Sequence, residues 1–297
     1  MMNNSYNKSG SKLTAMKKII VPSDFSDVSK DAFRFAMKLA PVLGVSVKVV
    51  HVFSGSFNTV HPFVIRAEKG QGEILSDELQ AFMEKDAIGG KIALKPKVKV
   101  KYEAIVGLPE WEIVKFSQSP ETEAIVMGTT GSHGVIGKLF GTISTDVSRK
   151  AGCPVFLIPG KVQFTGFKNI LFASHFEATN ESTLKRLVNI ANLFHANVHF
   201  VHVKEEDEKY DYKVVENRIF EILFREETPS FAFNMTVTDG HSVVDGLNNY
   251  VLNKDIDLVV MVAQQRSFWK DILHKSKTKN MALNTKLPLL ILHVGIE

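Results

Sequence analysis

The 297-residue sequence predicts an α/β protein of two tandem doubly wound domains, each a five-stranded parallel sheet with helices on both faces. Three observations predict this. Short Val/Ile-rich runs alternate with amphipathic helical patterns, the signature of a parallel sheet. The pattern of the first half returns in the second at nearly constant spacing. A glycine-rich stretch follows a strand pattern and opens a helical one, where such sheets keep their ligand loops.

In the first half the runs Lys18 to Val21, Val45 to Phe53, Val98 to Ile105, Ala124 to Met127 and Val155 to Ile158 read as buried strands. Four helical patterns separate them. Asp27 or Ser26 can cap the first, which carries Ala32, Phe35, Ala36, Leu39 and Val42 on one face and stops at Gly44. A second runs roughly from Glu73 to Ala87, a third starts near Pro109, and a fourth runs from Ile143 to Ala151. Asp24, Val52 and Gly128 all lie at a strand's carboxyl end in this reading, so they can converge at the carboxyl edge of the sheet.

The second half repeats the first. Lys17 to Phe25 reappears as Lys168 to Phe176, an offset of 151, and His51 meets His202 at the same offset. Ile125-Val126-Met127 matches Val259-Val260-Met261 at an offset of 134, and Pro154 to Ile158 matches Pro288 to Leu292. The chain therefore divides into a tail, 1–15, read as disordered or as an over-long start before Met16, a first domain, 16–160, and a second, 161–297. The repeat is faithful in its apolar runs but not in its glycines. Gly128, Gly131, Gly134, Gly137 and Gly141 become Val262, Gln265, Phe268, Asp271 and Lys275, and Asp24 becomes His175. Joint loss of these residues is what one site lost or repurposed would look like.

The stretch Gly128-Thr129-Thr130-Gly131, with Gly141-Thr142 following after nine residues, has the layout of a phosphate-binding loop. Glycines let backbone N–H groups approach a polyanion, and the positive end of the helix opening near Thr142 favours negative charge. Neither the P-loop nor the dinucleotide fingerprint fits: Gly137-Lys138 precedes Leu139, and Thr129 and Ser132 stand where glycines would be needed. A flexible surface connection is the alternative reading.

Composition excludes several classes. With 44% hydrophobic and 23% charged residues the chain reads as globular, no apolar run approaches the roughly 20 residues of a membrane span, and the first residues lack a secretory core. The formal charge of +4 is too small to imply nucleic acid. Lys95, Lys97, Lys99 and Lys101 alternate on one face of a strand, which reads as solvated. The acidic run Glu205 to Glu208 reads as a solvated loop. Cys153 is the single cysteine, so no intrachain disulfide can form; before Pro154 and an apolar run it reads as a packing residue in a reducing compartment. His195, His199 and His202 invite a zinc reading, but residues three apart in a strand face opposite sides.

At these residues the chain resembles a tandem universal stress protein of the UspA family, in its ATP-binding form in the first domain. The family pattern Gly-x2-Gly-x9-Gly-Ser/Thr is met by Gly128, Gly131 and Gly141-Thr142. Val21 to Ser26, Val50-His51-Val52 and Cys153-Pro154-Val155 resemble its first, second and last strands. The resemblance covers about 16–160 and 166–294, and implies a Rossmann-like fold of the adenine nucleotide alpha hydrolase kind. It implies that Gly128, Gly131, Gly141 and Thr142 hold the phosphates of ATP, and that Ser23 and Asp24 lie at the ribose and any phosphate-bound magnesium. Val52 would offer main-chain groups to adenine. Thr130 departs from the basic residue many relatives carry there, with His133 and Lys138 the nearest candidates to supply that charge. The last strands, Val155 to Ile158 and Leu289 to Leu292, would pair the domains into an intrachain pseudo-dimer, with a homodimer open.

The expected function is a cytoplasmic, regulatory, ATP-binding stress protein with neither nucleic-acid nor membrane partners. Asp24 and His133 are the only acid–base candidates near the loop, so slow ATP hydrolysis is the enzymatic alternative. A nucleotide-free interaction scaffold is the other.

Overall fold

The computed structural model describes residues 16–57, 65–66, 70–85, 98–129, 141–173, 180–204, 212–225, 229–263 and 287–294. The tail 1–15, Thr130, Gly131, His133, Gly134, Gly137, Lys138, His175, the acidic run and the second-half counterparts beyond Ala263 lie outside them.

The first half runs β1 (Lys18–Pro22), α1 (Asp27–Leu43), β2 (Ser46–Phe53), a short hairpin β3 (Ser56–Phe57) and β4 (Ile65–Arg66), α2 (Gln71–Glu84), β5 (Val100–Val106), α3 (Pro109–Ser117), β6 (Thr122–Gly128), α4 (Thr142–Lys150) and β7 (Val155–Ile158). The second runs β8 (Asn169–Ala173), α5 (Glu181–Phe194), β9 (Asn197–Lys204), α6 (Tyr212–Leu223), β10 (Phe233–Asp239), α7 (Val243–Leu252), β11 (Leu258–Val262) and β12 (Leu289–Leu292).

Local chemistry accounts for the helix boundaries. Ser26, not Asp27, caps α1: its Oγ accepts the Ser29 N–H at 3.1 Å, and Gly44 ends the helix in the left-handed region, at φ 67°. The 3.6-residue spacing buries Ala32, Phe33, Phe35, Ala36 and Leu39 completely or nearly so. Each large side chain among them contributes about 1.5–3 kcal/mol relative to exposure. Helix α2 starts at Gln71 and ends at Glu84, earlier at both ends than the pattern suggests. Pro109 opens α3, where its missing N–H costs nothing.

The two five-stranded units join into one ten-stranded sheet, β10-β9-β8-β11-β12-β7-β6-β1-β2-β5. Within each half of this sheet all pairs are parallel, in corresponding order. At the centre β12 pairs antiparallel with β7, Leu290 opposite Phe156. Both central strands are buried at every position, so each covers what would otherwise be an exposed apolar edge. Core clusters on the two faces of the sheet each contain residues from both halves. The connection between the halves is pinned as well. Asp31 accepts the Lys161 N–H, Asp257 accepts those of Lys168 and Asn169, and Phe164 and Phe167 pack against Phe35 and Phe194.

Lys101 lies on β5, an edge strand, and is exposed, as is Lys99 just before it. Cys153 is buried, and burial pushes its thiol up to about 12. His199 and His202 behave separately: Nδ1 of His199 meets the Tyr250 hydroxyl at 2.9 Å, whereas His202 is buried. Among the described residues no group of three or more His, Cys, Asp or Glu could hold a metal ion. None of their helices is long and apolar enough to cross a membrane.

Candidate functional site

The site assembles at the carboxyl edge of the first half of the sheet. Strand β1 ends at Pro22 opposite Val50 of β2, and Ile20 stands opposite Ile125 of β6. Two residues beyond β1 therefore bring Asp24 level with the end of β6, where Gly128 is the last strand residue.

The turn after β1 is built from its own side chains. Oγ of Ser29 donates to the Ser26 carbonyl at 2.8 Å, so at the 2.9 Å contact between the two hydroxyls Ser23 is the donor and Ser29 the acceptor. Oγ of Ser23 also accepts the Phe25 N–H at 3.1 Å, and its main-chain carbonyl accepts from Nδ1 of His51 at 2.9 Å. The Ser23 hydroxyl thus shapes the turn from within, a structural employment the sequence does not reveal. Oδ1 of Asp24 accepts both the N–H and the hydroxyl of Ser26. That contact makes Asp24 a turn-former outside the helix, not its cap. Between them Phe25 sits at φ 61°, uncommon for an aromatic residue; its ring packs edge-on to His51 and Phe82.

Val52 lies inside β2, opposite Ile105 of β5, and not beyond the strand. Its side chain is in the core. The carbonyl of Val50 points to the β1 side, where it accepts the Ser23 N–H at 2.9 Å, and that of Phe53 points to the β5 side, where it accepts the Gly107 N–H. By the same alternation the main-chain groups of Val52 face the side where β1 has already turned away.

Gly128 has a packing reason that the comparison of halves does not anticipate. A Cβ there would stand 2.8 Å from Cγ1 of Val28 and 3.3 Å from Val28 backbone carbon and oxygen, because the first turn of α1 crosses the end of β6. In the second half Val262 occupies the corresponding place and is buried. Helix α5, capped by Asn180, starts at Glu181, three residues after the position matching Asp27 at the offset of 151.

The two ends of the glycine loop are clasped. The Thr129 carbonyl accepts the Gly141 N–H at 2.8 Å and the Ser144 hydroxyl at 2.9 Å, while the Gly141 carbonyl accepts the hydroxyl and N–H of Thr145. Gly141 is the N-cap residue of α4 and provides no side-chain acceptor, so among the described residues no side chain caps the N–H groups that open the helix. Thr142 is exposed, and Arg149 and Lys150 close the helix, complementing its dipole. Sequence reasoning missed Ser144 and Thr145, whose signal was available as small hydroxyl residues at core-facing positions of a first helical turn, and the main-chain carbonyl of Thr129, which leaves none. Ser23, Asp24, the Val52 main chain, Gly128, Gly141 and Thr142 belong to one edge of the sheet, while Gly131 lies outside the described residues.

The profile of the Universal stress protein family matches residues 16–159 and again 166–293. The chain belongs to the universal stress protein family. Universal stress protein MJ0531 of Methanocaldococcus jannaschii is 34% identical to it over 146 residues, 48% of this chain and 81% of that protein. Universal stress protein Rv2005c of Mycobacterium tuberculosis is 27% identical over 147 residues, 47% of either chain. Among solved structures, a universal stress protein from Archaeoglobus fulgidus superposes over 94% of this chain and 98% of its own, at a TM-score of 0.62 and 16% identity. At that identity the likeness speaks for the fold, and it extends through both halves.

Proposed function

We propose that residues 16–160 form an ATP-binding domain of a cytoplasmic stress-response protein, with residues 161–297 a second domain of the same family that lacks the glycine loop. The observation that carries this reading is the N-terminus of α4, to which its cap residue Gly141 offers no side-chain acceptor, held by the Thr129–Gly141 clasp at the same sheet edge as the Ser23-Asp24 turn. Donors without side-chain acceptors at a helix N-terminus favour a polyanion, and Thr142 adds a hydroxyl beside them. Gly128, Gly131 and Gly141 would let phosphates approach the backbone; Asp24 would lie at the ribose or a phosphate-bound magnesium ion; main-chain groups of Val52 would meet adenine.

Binding is better supported than turnover. One carboxylate oxygen of Asp24 is already engaged by Ser26, which favours a positioning role over that of a general base. The domains would act as an intrachain pseudo-dimer through β7 and β12, with sedimentation deciding whether two chains associate. Calorimetric titration with ATP, with and without magnesium, together with mass spectrometry of the protein as purified, tests the reading. Absence of adenine nucleotide in both sinks it. ATP turnover that disappears in Asp24→Asn while binding persists would assign slow hydrolysis instead.

A further inference from the structure

A side-chain hydrogen bond joins the backbone pairing of β7 and β12 across the apolar seam between the halves. His293 directly follows β12 and is almost fully buried, and its Nε2 lies 2.9 Å from the carbonyl oxygen of Ser148 on α4. A carbonyl can only accept, so Nε2 carries the proton and Nδ1 is the bare nitrogen of a neutral imidazole. That Nδ1 makes no well-formed hydrogen bond, although the Cys153 backbone lies close enough to the ring to favour its charged form, and the fully buried Oγ of Ser148 has no partner. Val147, Ala151, Leu157, Leu289 and Ile291 belong to the core cluster on this face.

We propose that His293 is a proton-sensitive bolt between the halves: neutral, it fits the closed seam with Nε2–H on the Ser148 carbonyl, and protonated, it favours opening of α4 from the seam, where water reaches the charge that the closed seam buries. Protonation would put a full charge and a second N–H, at Nδ1, into an apolar setting, which costs unless both are satisfied. Burial holds the imidazole below its ordinary value, with Arg186 of α5 adding to this; the backbones of Ser148 and Cys153 offset part of it. The neighbouring Cys153 thiol, pushed up to about 12, stays neutral. Strands β7, β11 and β12 carry no titratable side chain. On α4, Asp146 and Lys150 pair with each other at the surface and Arg149 is exposed; on α5, Glu181 pairs with Lys185.

The direction of the effect follows. A histidine whose folded value is depressed contributes stability that is complete above its unfolded value, about 6.5, and is lost as pH falls below it. Between the two values the open form gains by up to about tenfold per pH unit. Because α4 begins at Gly141, release of its far end reaches the base of the glycine loop. The bolt is one-sided: at the offset of 134, Pro159 stands in the first half where His293 stands in the second.

The proposal rests on the seam and not on the ATP reading, so it is tested on the full chain without nucleotide. Hydrogen exchange, corrected for intrinsic rates, is followed at pH 7.5, 6.5 and 5.5 for the α4 amides and, as internal reference, for those of β1. Protection of α4 should fall up to about tenfold between pH 6.5 and 5.5 relative to β1, and should stay level in His293→Gln, which keeps an N–H donor but does not titrate. Level protection in the unsubstituted protein, or the same fall in the Gln variant, overturns the bolt. Should His293→Gln fail to fold, imidazole nitrogen shifts of the unsubstituted protein decide. The Nε2–H tautomer with a midpoint below about 6.5 supports the proposal, whereas the Nδ1–H tautomer or a midpoint at or above that value overturns it.

Discussion

Gly128→Ala separates two roles that the glycine could play. The new methyl would stand 2.8 Å from Cγ1 of Val28, about 1 Å inside the 3.5–4.0 Å optimum for carbon pairs. Val28 cannot simply swing away, because its backbone carbon and oxygen are also only 3.3 Å from the same point. Relief requires a shift of the first turn of α1, and such overpacking costs about 1–3 kcal/mol. Val28→Ala removes Cγ1 but not the backbone contact, so the double variant should recover roughly half of that cost, a coupling of about 1 kcal/mol between touching residues. Urea unfolding followed by circular dichroism and tryptophan fluorescence measures all four proteins, and an ATP titration is run on each. If Gly128→Ala lies within about 0.5 kcal/mol of the parent, or if Val28→Ala relieves none of the loss, the packing argument is refuted. ATP affinity that returns with stability would mean the glycine serves the helix. Affinity that stays lost would mean the ligand needs the bare backbone.

Three further outcomes check the framework around the site. Ser26→Ala removes the α1 cap and should cost about 1 kcal/mol by the same unfolding assay. Asp257→Ala strands the N–H groups of Lys168 and Asn169, now held at 2.7 and 2.9 Å, and should cost about 1–3 kcal/mol while leaving the first-half site intact. The Cys153 thiol, pushed up to about 12 by burial, should resist a thiol reagent at pH 8 in the folded protein and react once urea unfolds it.

Much of this architecture is written in local patterns. The apolar runs at β1, β6 and β7, the stop at Gly44 and the proline opening of α3 follow from periodicity and turn chemistry alone. What escapes is contact between distant segments. The collision that makes Gly128 necessary involves a residue one hundred positions away, Val28. Likewise the Ser23 hydroxyl reads as a ligand group until Ser29 is placed beside it, and which way the Val52 main chain faces is not written in the run Val45 to Phe53 until its neighbours β1 and β5 are in place. The His293 contact with Ser148 spans 145 positions and both halves; the repeat could not reveal it, because the matching residue is Pro159.

These contacts move the weight of the nucleotide reading from one glycine to another. Gly128 is explained in part by packing, so its replacement by Val262 in the second half no longer argues for a ligand by itself. Gly141 is not required by its backbone conformation. It caps α4 with φ −68° and ψ 161°, an extended conformation open to any residue, and it supplies no acceptor. Helices α1, α5 and α7 are closed by Ser26, Asn180 and Ser242, each accepting an N–H of the first turn. Gly141 offers α4 no such acceptor, which leaves the first-turn donors to a ligand in the nucleotide reading. Gly141→Asp makes this measurable: a carboxylate there should accept a first-turn N–H and complement the dipole, raising stability by a few tenths to about 1 kcal/mol. It would also compete for the donors an ATP phosphate would use, and should weaken ATP binding at least tenfold by calorimetry. Stability gained without any loss of affinity would show that the α4 N-terminus is not where the phosphates sit.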